Sequence, residues 1–515
     1  MKVFLFVLNA FLVRLSVSDL VGFLHPCLQS SRGVCGPRSR AESHASVLNV
    51  QQTVGVPSSK PEEKERAKQL PPGPTDLFGQ ISFLFKYALL PVRQVFAECR
   101  RNYGPVFCVK AGPTTQVWIG NFKVLEKIYA LPECSGRLEL EGRPFGDFLF
   151  RLEDPTEAQK VREEQAAWIK RNIVGKDNSA AVSEGMESFY SHVMNISKEG
   201  VQAVDFPFDE VSNSIYRVLI GTLWGSYSLS DEELARLRDA LHEFLQFRLA
   251  PNEKKRTALA QDIRSIILKG LQRLSASNSE SDNEDLTRIV LPLTVATITG
   301  GVDVLPTFFE WLVLYLASDP EKQSLLRQLD PVSPEGHALY LKEIYRCLRV
   351  CPYSIGMGPP RRTIADVTIT LDPQDFDSPA EAEVEERQSF TIPKGALLFA
   401  LHPTVTDEAG RAAGASEEEY GRQAFGTGLR SCIGRPIAEG LLPLLVHDLL
   451  RKFEVNLIAA DPDSDSQSSS AALGSGSLLK QWVQSRVPSL VRTKDRGMLF
   501  APDKVPKMVF RPLQV

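Results

Sequence analysis

Cysteine is scarce in this chain: eight in 515 residues. That is too few for a disulfide scaffold, and no C-x-x-C pair occurs. Cys347 and Cys351 share a helix face at i, i+4, yet every cysteine other than Cys432 reads as a free thiol. Histidine is scarcer still. The seven, among them His192, His242, His337 and His447, form no H-E-x-x-H or Cys–His cluster, which excludes a zinc site on recognised spacings. His447 reads as a surface or packing residue. Neither sign of charge dominates, with 59 Lys and Arg against 63 Asp and Glu and a net charge of −4, so there is no nucleic-acid footprint. Internal repeats are absent, as are flavin and nicotinamide motifs. Long apolar runs are missing too. Val3 to Val13 falls short of the ~20 residues a membrane span needs. Counting on to Leu24 takes in Arg14 and Asp19.

What is present suits a large folded body. Hydrophobic residues make up 43% of the chain, enough to build a large core. Length alone suggests two or three domains. The first ~70 residues read separately, as a targeting extension over 1–69. Lys2 and the apolar stretch after it fit a signal-peptide core, with Ser16 and Ser18 flanking a cleavage point. Leu20 to Ser59 is rich in Ser and Arg with Glu42 as its only acid, the composition of a transit peptide. Ser275 to Asp285 and Asp461 to Ser477 have the composition of disordered loops.

The most specific stretch is Phe425-Gly426-Thr427-Gly428-Leu429-Arg430-Ser431-Cys432-Ile433-Gly434. Gly426 and Gly428 permit a tight turn that brings backbone N–H groups towards a sulfur. The following Pro436 to Leu442 reads as a helix start interrupted by Pro443, and a helix N-terminus lowers a thiol pKa. Arg430 suits a carboxylate through a charge-assisted bond. The run has the form F-G-x-G-x-R-x-C-x-G and resembles the haem-thiolate loop of the cytochrome P-450 superfamily. The resemblance implies haem (iron protoporphyrin IX) as cofactor and Cys432 as axial iron ligand. It implies Phe425 as a shield of the proximal haem face and Arg430 as a propionate contact.

Other segments resemble the same family over roughly residues 70 to 515, expected to form one catalytic domain. Glu343-Ile344-Tyr345-Arg346, followed by Leu348-Arg349 and Pro352, is similar to its K helix. There Glu343 and Arg346 would join a buried network with an arginine of the following meander. The usual meander element is not visible between His402 and Phe425, leaving Arg411 or Arg422 as the third member. Arg361 is expected to reach a propionate in preference to Arg362. Trp168 and Arg171 are expected to contact a propionate from the C helix, although the family spacing is W-x-x-x-R and Asn172 stands at the expected place. Phe390 to Gly395 resembles a hairpin turn, Tyr103 to Phe107 the turn into the first sheet, and Leu70 to Pro74 a proline-rich hinge. Gly497 to Phe500 and Val509 to Arg511 resemble the closing strands. The fold class implied is mainly α with a small β-rich lobe.

On the opposite side of the cofactor, Gly300, Gly301 and Asp303 match the family's I-helix pattern, and Val304 stands where most members carry threonine. Valine neither donates nor accepts a hydrogen bond. Pro306 is expected to kink this helix, freeing the carbonyl of Val302. Three readings stay open. A monooxygenase would insert one oxygen atom from O2 into a small apolar substrate, with Asp303, water, Thr307 or a substrate hydroxyl carrying protons. An O2-independent isomerase or dehydratase would act on a hydroperoxide or endoperoxide. A haem-binding protein without turnover is the third. The resemblance implies a redox partner, a P-450 reductase or a ferredoxin. Phe308 and Phe309 are expected at the pocket and Arg137 to Arg151 over the channel. Membrane association is expected, in a plastid reached by the secretory route or in the endoplasmic reticulum, with the mitochondrion as the remaining option.

Overall fold

The computed structural model describes residues 70–74, 76–89, 92–111, 114–137, 155–174, 176–198, 204–224, 229–246, 253–275, 289–301, 304–350, 361–372, 388–400, 424–457 and 508–513. The targeting segment 1–69, Asp303, Arg411, Arg422, most of the 137–151 stretch and the strand expected at 497–500 lie outside the described residues.

Leu70 to Pro74 is laid against the first strand. The Cys108 N–H donates to the Pro72 carbonyl at 2.8 Å. A Cβ on Gly73 would lie 1.9 Å from the Cys108 carbonyl oxygen, so only glycine allows this approach. Helices α1 (Leu77–Leu89) and α2 (Val92–Tyr103) follow. Gly104, at φ +89°, turns the chain into β1 (Val106–Ala111), which pairs antiparallel with β2 (Thr114–Ile119). Asn121 then caps α3 (Phe122–Tyr129), its Oδ1 accepting the Val124 N–H at 3.0 Å. Strand β3 (Gly136–Arg137) closes this segment.

Helices fill the middle of the chain: α4 (Pro155–Asn172), α5 (Ser179–Lys198), α6 (Phe208–Trp224), α7 (Asp231–Gln246) and α8 (Glu253–Ser275). Next come α9 (Leu291–Gly301), α10 (Val304–Ala317), α11 (Pro320–Arg327) and α12 (Pro334–Val350). Strands β4 (Arg361–Arg362), β5 (Val367–Leu371), β6 (Gln388–Ile392) and β7 (Leu397–Ala400) precede α13 (Arg435–Lys452), β8 (Phe453–Leu457) and β9 (Met508–Pro512). The main sheet has the order β1-β2-β7-β4-β3, with β2 and β7 parallel. Strands β5–β6 and β8–β9 form separate antiparallel pairs. Gly395, at φ +84°, makes the turn into β7 after Pro393. The architecture is therefore mainly helical with small sheets.

The largest core is helical. Phe189, Phe309, Trp311, Ile344, Leu445 and Phe453 meet in it, drawn from α5, α10, α12, α13 and β8. A second core lies between the main sheet and α3, around Val117, Ile119, Leu125 and Leu398. Helix α9 ends at Gly301 and α10 begins at Val304; residues 302 and 303 between them lie outside the described residues, and with them the kink and the freed Val302 carbonyl expected from Pro306. One expectation about proline needs revision. Pro443 does not interrupt α13, which runs on to Lys452. A proline in a helix interior costs about 3 kcal/mol. The buried Leu441, Leu442, Leu444 and Leu445 around it offset that cost through packing.

Candidate functional site

The cysteine loop is built by two left-handed glycines and a short 3₁₀ turn. Gly426 and Gly428 sit at φ +70° and +69°, conformations that L side chains rarely adopt. At Gly428 space also excludes a side chain, because a Cβ would lie 2.0 Å from the Tyr129 carbonyl oxygen. The turn over Gly428–Arg430 is closed by the Ser431 N–H on the Gly428 carbonyl at 3.0 Å. The Cys432 N–H then returns to the Phe425 carbonyl at 2.8 Å. Phe425 itself is half-buried against the helical core.

Cys432 therefore stands one turn before α13. Its side chain is exposed by surface area, while the surrounding protein is dense enough for burial to push the thiol pKa up. The two observations agree for a group on the floor of a recess, whose tip meets open space and whose flanks do not. The Gly434 and Arg435 N–H groups and the charges of Arg162 and Arg435 favour the thiolate. The sequence-based expectation of a lowered pKa holds for those contributions, but burial outweighs them. A metal ion at the sulfur would displace the proton.

Three arginines gather beside the loop. Arg361 is buried in β4; its Nη2 donates to the Thr427 carbonyl at 2.6 Å and its guanidinium stacks 3.6 Å from the Tyr129 ring centroid. Arg430 Nε donates to the Ser135 carbonyl at 3.3 Å. Arg162, from α4, donates to the Ser431 carbonyl. Burial lowers the pKa of all three, and that of Arg361 falls to about 10 with Arg430 and Arg162 adding repulsion. Among the described residues none of the three is paired with a carboxylate, and like charges so close call for an anion between them. A porphyrin with two carboxylates and an iron for the Cys432 sulfur fits this donor set.

Arg162 is the functional candidate that sequence reasoning missed. The structure does not bring Arg171 to the loop: it is exposed near the far end of α4, nine residues or ~13 Å along the axis from Arg162. Trp168 packs against two helical cores, and its carbonyl accepts the Asn172 side-chain amide at 3.0 Å. Reading the family's W-x-x-x-R spacing back from Arg162 puts Ala158 at the tryptophan position. With that aromatic absent, nothing local singled out Arg162 from the other basic residues of the helix.

Glu343 and Arg346 form an ion pair on α12. Two further groups hold Glu343, which is buried. The Tyr315 hydroxyl donates to Glu343 Oε2 at 2.9 Å, and Lys322 Nζ lies 3.2 Å from the same oxygen. Lys322 also donates to the Tyr315 hydroxyl at 2.6 Å. Within the described residues α10, α11 and α12 thus meet at one carboxylate, whose second cation is a lysine that the sequence pattern did not point to.

In the segment that the resemblance puts on the other side of the cofactor, a Cβ at Gly300, near the end of α9, would meet open space, and Val304, the first residue of α10, is 37% exposed. Thr307 is fully buried, and its hydroxyl has no partner among the described residues. Phe308 and Phe309, expected at a pocket, belong to the helical core instead.

Fold and site together define a class: a helical protein with a thiol-bearing loop beside a cationic cluster suited to an anionic porphyrin. Residues 407–481 match the sequence profile of the cytochrome P-450 family. A steroid 17-alpha-hydroxylase/17,20 lyase from Squalus acanthias is 27% identical over 238 residues, covering 40% of this chain and only 43% of the relative. The enzyme of the same name from Mesocricetus auratus is 22% identical over 465 residues, covering 74% and 84%. A zebra fish cytochrome P-450 structure with progesterone superposes with a TM-score of 0.57 at 16% identity, covering 82% of this chain and all of that one. The chain has the cytochrome P-450 fold and is similar in sequence to that family as a divergent relative.

Proposed function

We propose that the protein is a haem-thiolate monooxygenase acting on a small, mostly apolar molecule. The single observation that carries this reading is the Cys432 thiol, exposed on its glycine-turned loop beside three arginines that have no carboxylate partner among the described residues. Cys432 would ligate the iron, and Arg162, Arg361 and Arg430 would hold the porphyrin carboxylates. Phe425 and Gly426 would close the near face. When bound, the haem supplies the redox centre at which dioxygen is activated, with thiolate ligation favouring O–O cleavage. The chain's own part is to present the sulfur to the iron, fix the porphyrin, and leave an apolar opening at Gly300 and Val304 for the substrate. Asp303 would carry protons on that side.

The named activity of the two steroid-converting relatives makes a steroid the first substrate class to try. Electrons would come from a reductase or ferredoxin. Membrane association in an organelle remains part of the proposal, although no described helix is long and apolar enough to cross a membrane. The test is the spectrum of the reduced carbon monoxide complex. We expect a red-shifted Soret band in the parent protein and its loss in Cys432→Ala; persistence in the variant would remove the axial assignment.

A second reading is favoured by one observation. The residue open at the threonine position is Val304, while the nearest hydroxyl along α10, that of Thr307, is buried. A site without an alcohol there suits an O2-independent rearrangement of a hydroperoxide or endoperoxide. Rapid conversion of a lipid hydroperoxide by purified protein without any electron donor would decide for it.

A further inference from the structure

Arg435 opens α13 three residues after Cys432, and its side chain is engaged. Nε donates to Glu439 Oε1, one turn further on, at 2.7 Å. The guanidinium carbon lies 5.8 Å from the Phe425 ring centroid. Glu439 Oε1 also accepts the hydroxyl of Tyr345 from α12. A hydrogen-bonded chain therefore runs from the helix of Glu343 and Arg346 to the helix whose first turn faces the sulfur. Burial keeps the Tyr345 hydroxyl protonated, so it is a standing donor.

None of these three side chains is needed to hold a porphyrin, a task assigned above to Cys432, Arg162, Arg361 and Arg430. What the arrangement controls is charge. Two cations act on the Cys432 sulfur, Arg162 from α4 and Arg435 from α13. Among the described residues, Arg435 has a carboxylate beside it and Arg162 has none. The Arg435 and Glu439 side chains are 31% and 20% exposed, so solvent screens the pair only in part.

We propose that the Tyr345–Glu439–Arg435 chain sets the reduction potential of the bound haem, with all three as positioning residues. This rests on the haem-thiolate reading. Reduction adds one electron to the iron, taking it from ferric to ferrous, so a nearby cation favours the reduced form and a nearby carboxylate opposes it. Arg435 supplies the cation, Glu439 offsets it, and Tyr345 draws off part of the carboxylate's charge.

The experiment is a reductive titration with dithionite and redox mediators, followed in the visible spectrum of the haem-loaded full chain. Arg435→Gln should lower the potential and Glu439→Gln should raise it. Each should change the ferrous-to-ferric ratio at the parent midpoint roughly tenfold, the scale of one charge at an effective dielectric of about 20. Tyr345→Phe should lower the potential by less, and Arg435→Lys should stay near the parent. Opposite signs are the signature, since general loosening of the loop would move every variant the same way. Shifts of one sign throughout, or none, overturn the proposal. If Arg435→Gln fails to retain haem, Glu439→Gln and Tyr345→Phe decide, because both keep the arginine. A parent protein without the thiolate band would defeat the haem reading itself, whereas a normal band with unmoved potentials would defeat only this proposal.

Discussion

Gly428 shows how much a single residue carries. It has a left-handed backbone and lies against the Tyr129 carbonyl, where a Cβ would be 2.0 Å from the oxygen. Its neighbour Thr427 offers the carbonyl that Arg361 binds. Gly428→Ala should therefore destabilise the protein by about 2 kcal/mol or more and displace the contact with Arg361. Thermal unfolding and haem retention measure the two effects. Gly426 shares the backbone strain without the clash, so Gly426→Ala should cost less. The glycine pattern of the loop was legible as a motif, but the collision that makes one glycine stricter than the other was not. It depends on α3, which is distant in sequence.

Among the elements, α12 is tied through Glu343 to both α10 and α11. Removing the lysine in Lys322→Met leaves the buried carboxylate with Arg346 and Tyr315. We expect a loss of about 2 kcal/mol in urea unfolding, the scale of a charged hydrogen bond in a protected site. Glu343→Gln should reduce the effect of the lysine change, since the pair would already be broken. The α7–α8 pair gives a pH prediction. Arg273 on α8 grips Glu233 on α7 with two bonds of 2.7 Å, and Glu233 also takes the Ser230 N–H at 3.0 Å as part of a capping box. These bonds, the arginine's foremost, lower the Glu233 pKa from 4.5 to about 2. A depressed carboxyl stabilises the fold above its unfolded value and loses that contribution as pH falls towards 2. Arg273→Gln should flatten the dependence of thermal stability on pH over that range. An unchanged slope would show that the pair contributes nothing there.

For the whole molecule, the first described residues are already tied to the fold: Leu70 packs on the sheet core and the Pro72 carbonyl accepts the Cys108 N–H. A chain starting at residue 70 should keep the same reduced carbon monoxide spectrum as the full chain. Loss of the band on truncation would place part of the haem-binding unit within 1–69. The same view explains why the mainly helical architecture could be anticipated. Glu343-Ile344-Tyr345-Arg346 and the Phe425 to Gly434 run are local patterns, each complete within a few residues. The arginine cluster brings together α4, β4 and the cysteine loop, and only two of its three members were anticipated, Arg361 and Arg430.

From sequence alone came the family resemblance, the identity of the candidate iron ligand and the valine at the threonine position. All three depend on residue types at fixed short spacings, and chain-local geometry is enough to express them. Tertiary structure alone decided that Arg162 rather than Arg171 stands by the sulfur, that Lys322 joins Glu343, and that Tyr345 reaches Glu439. Those partners lie on separate elements, and packing of the apolar faces sets which side chains meet.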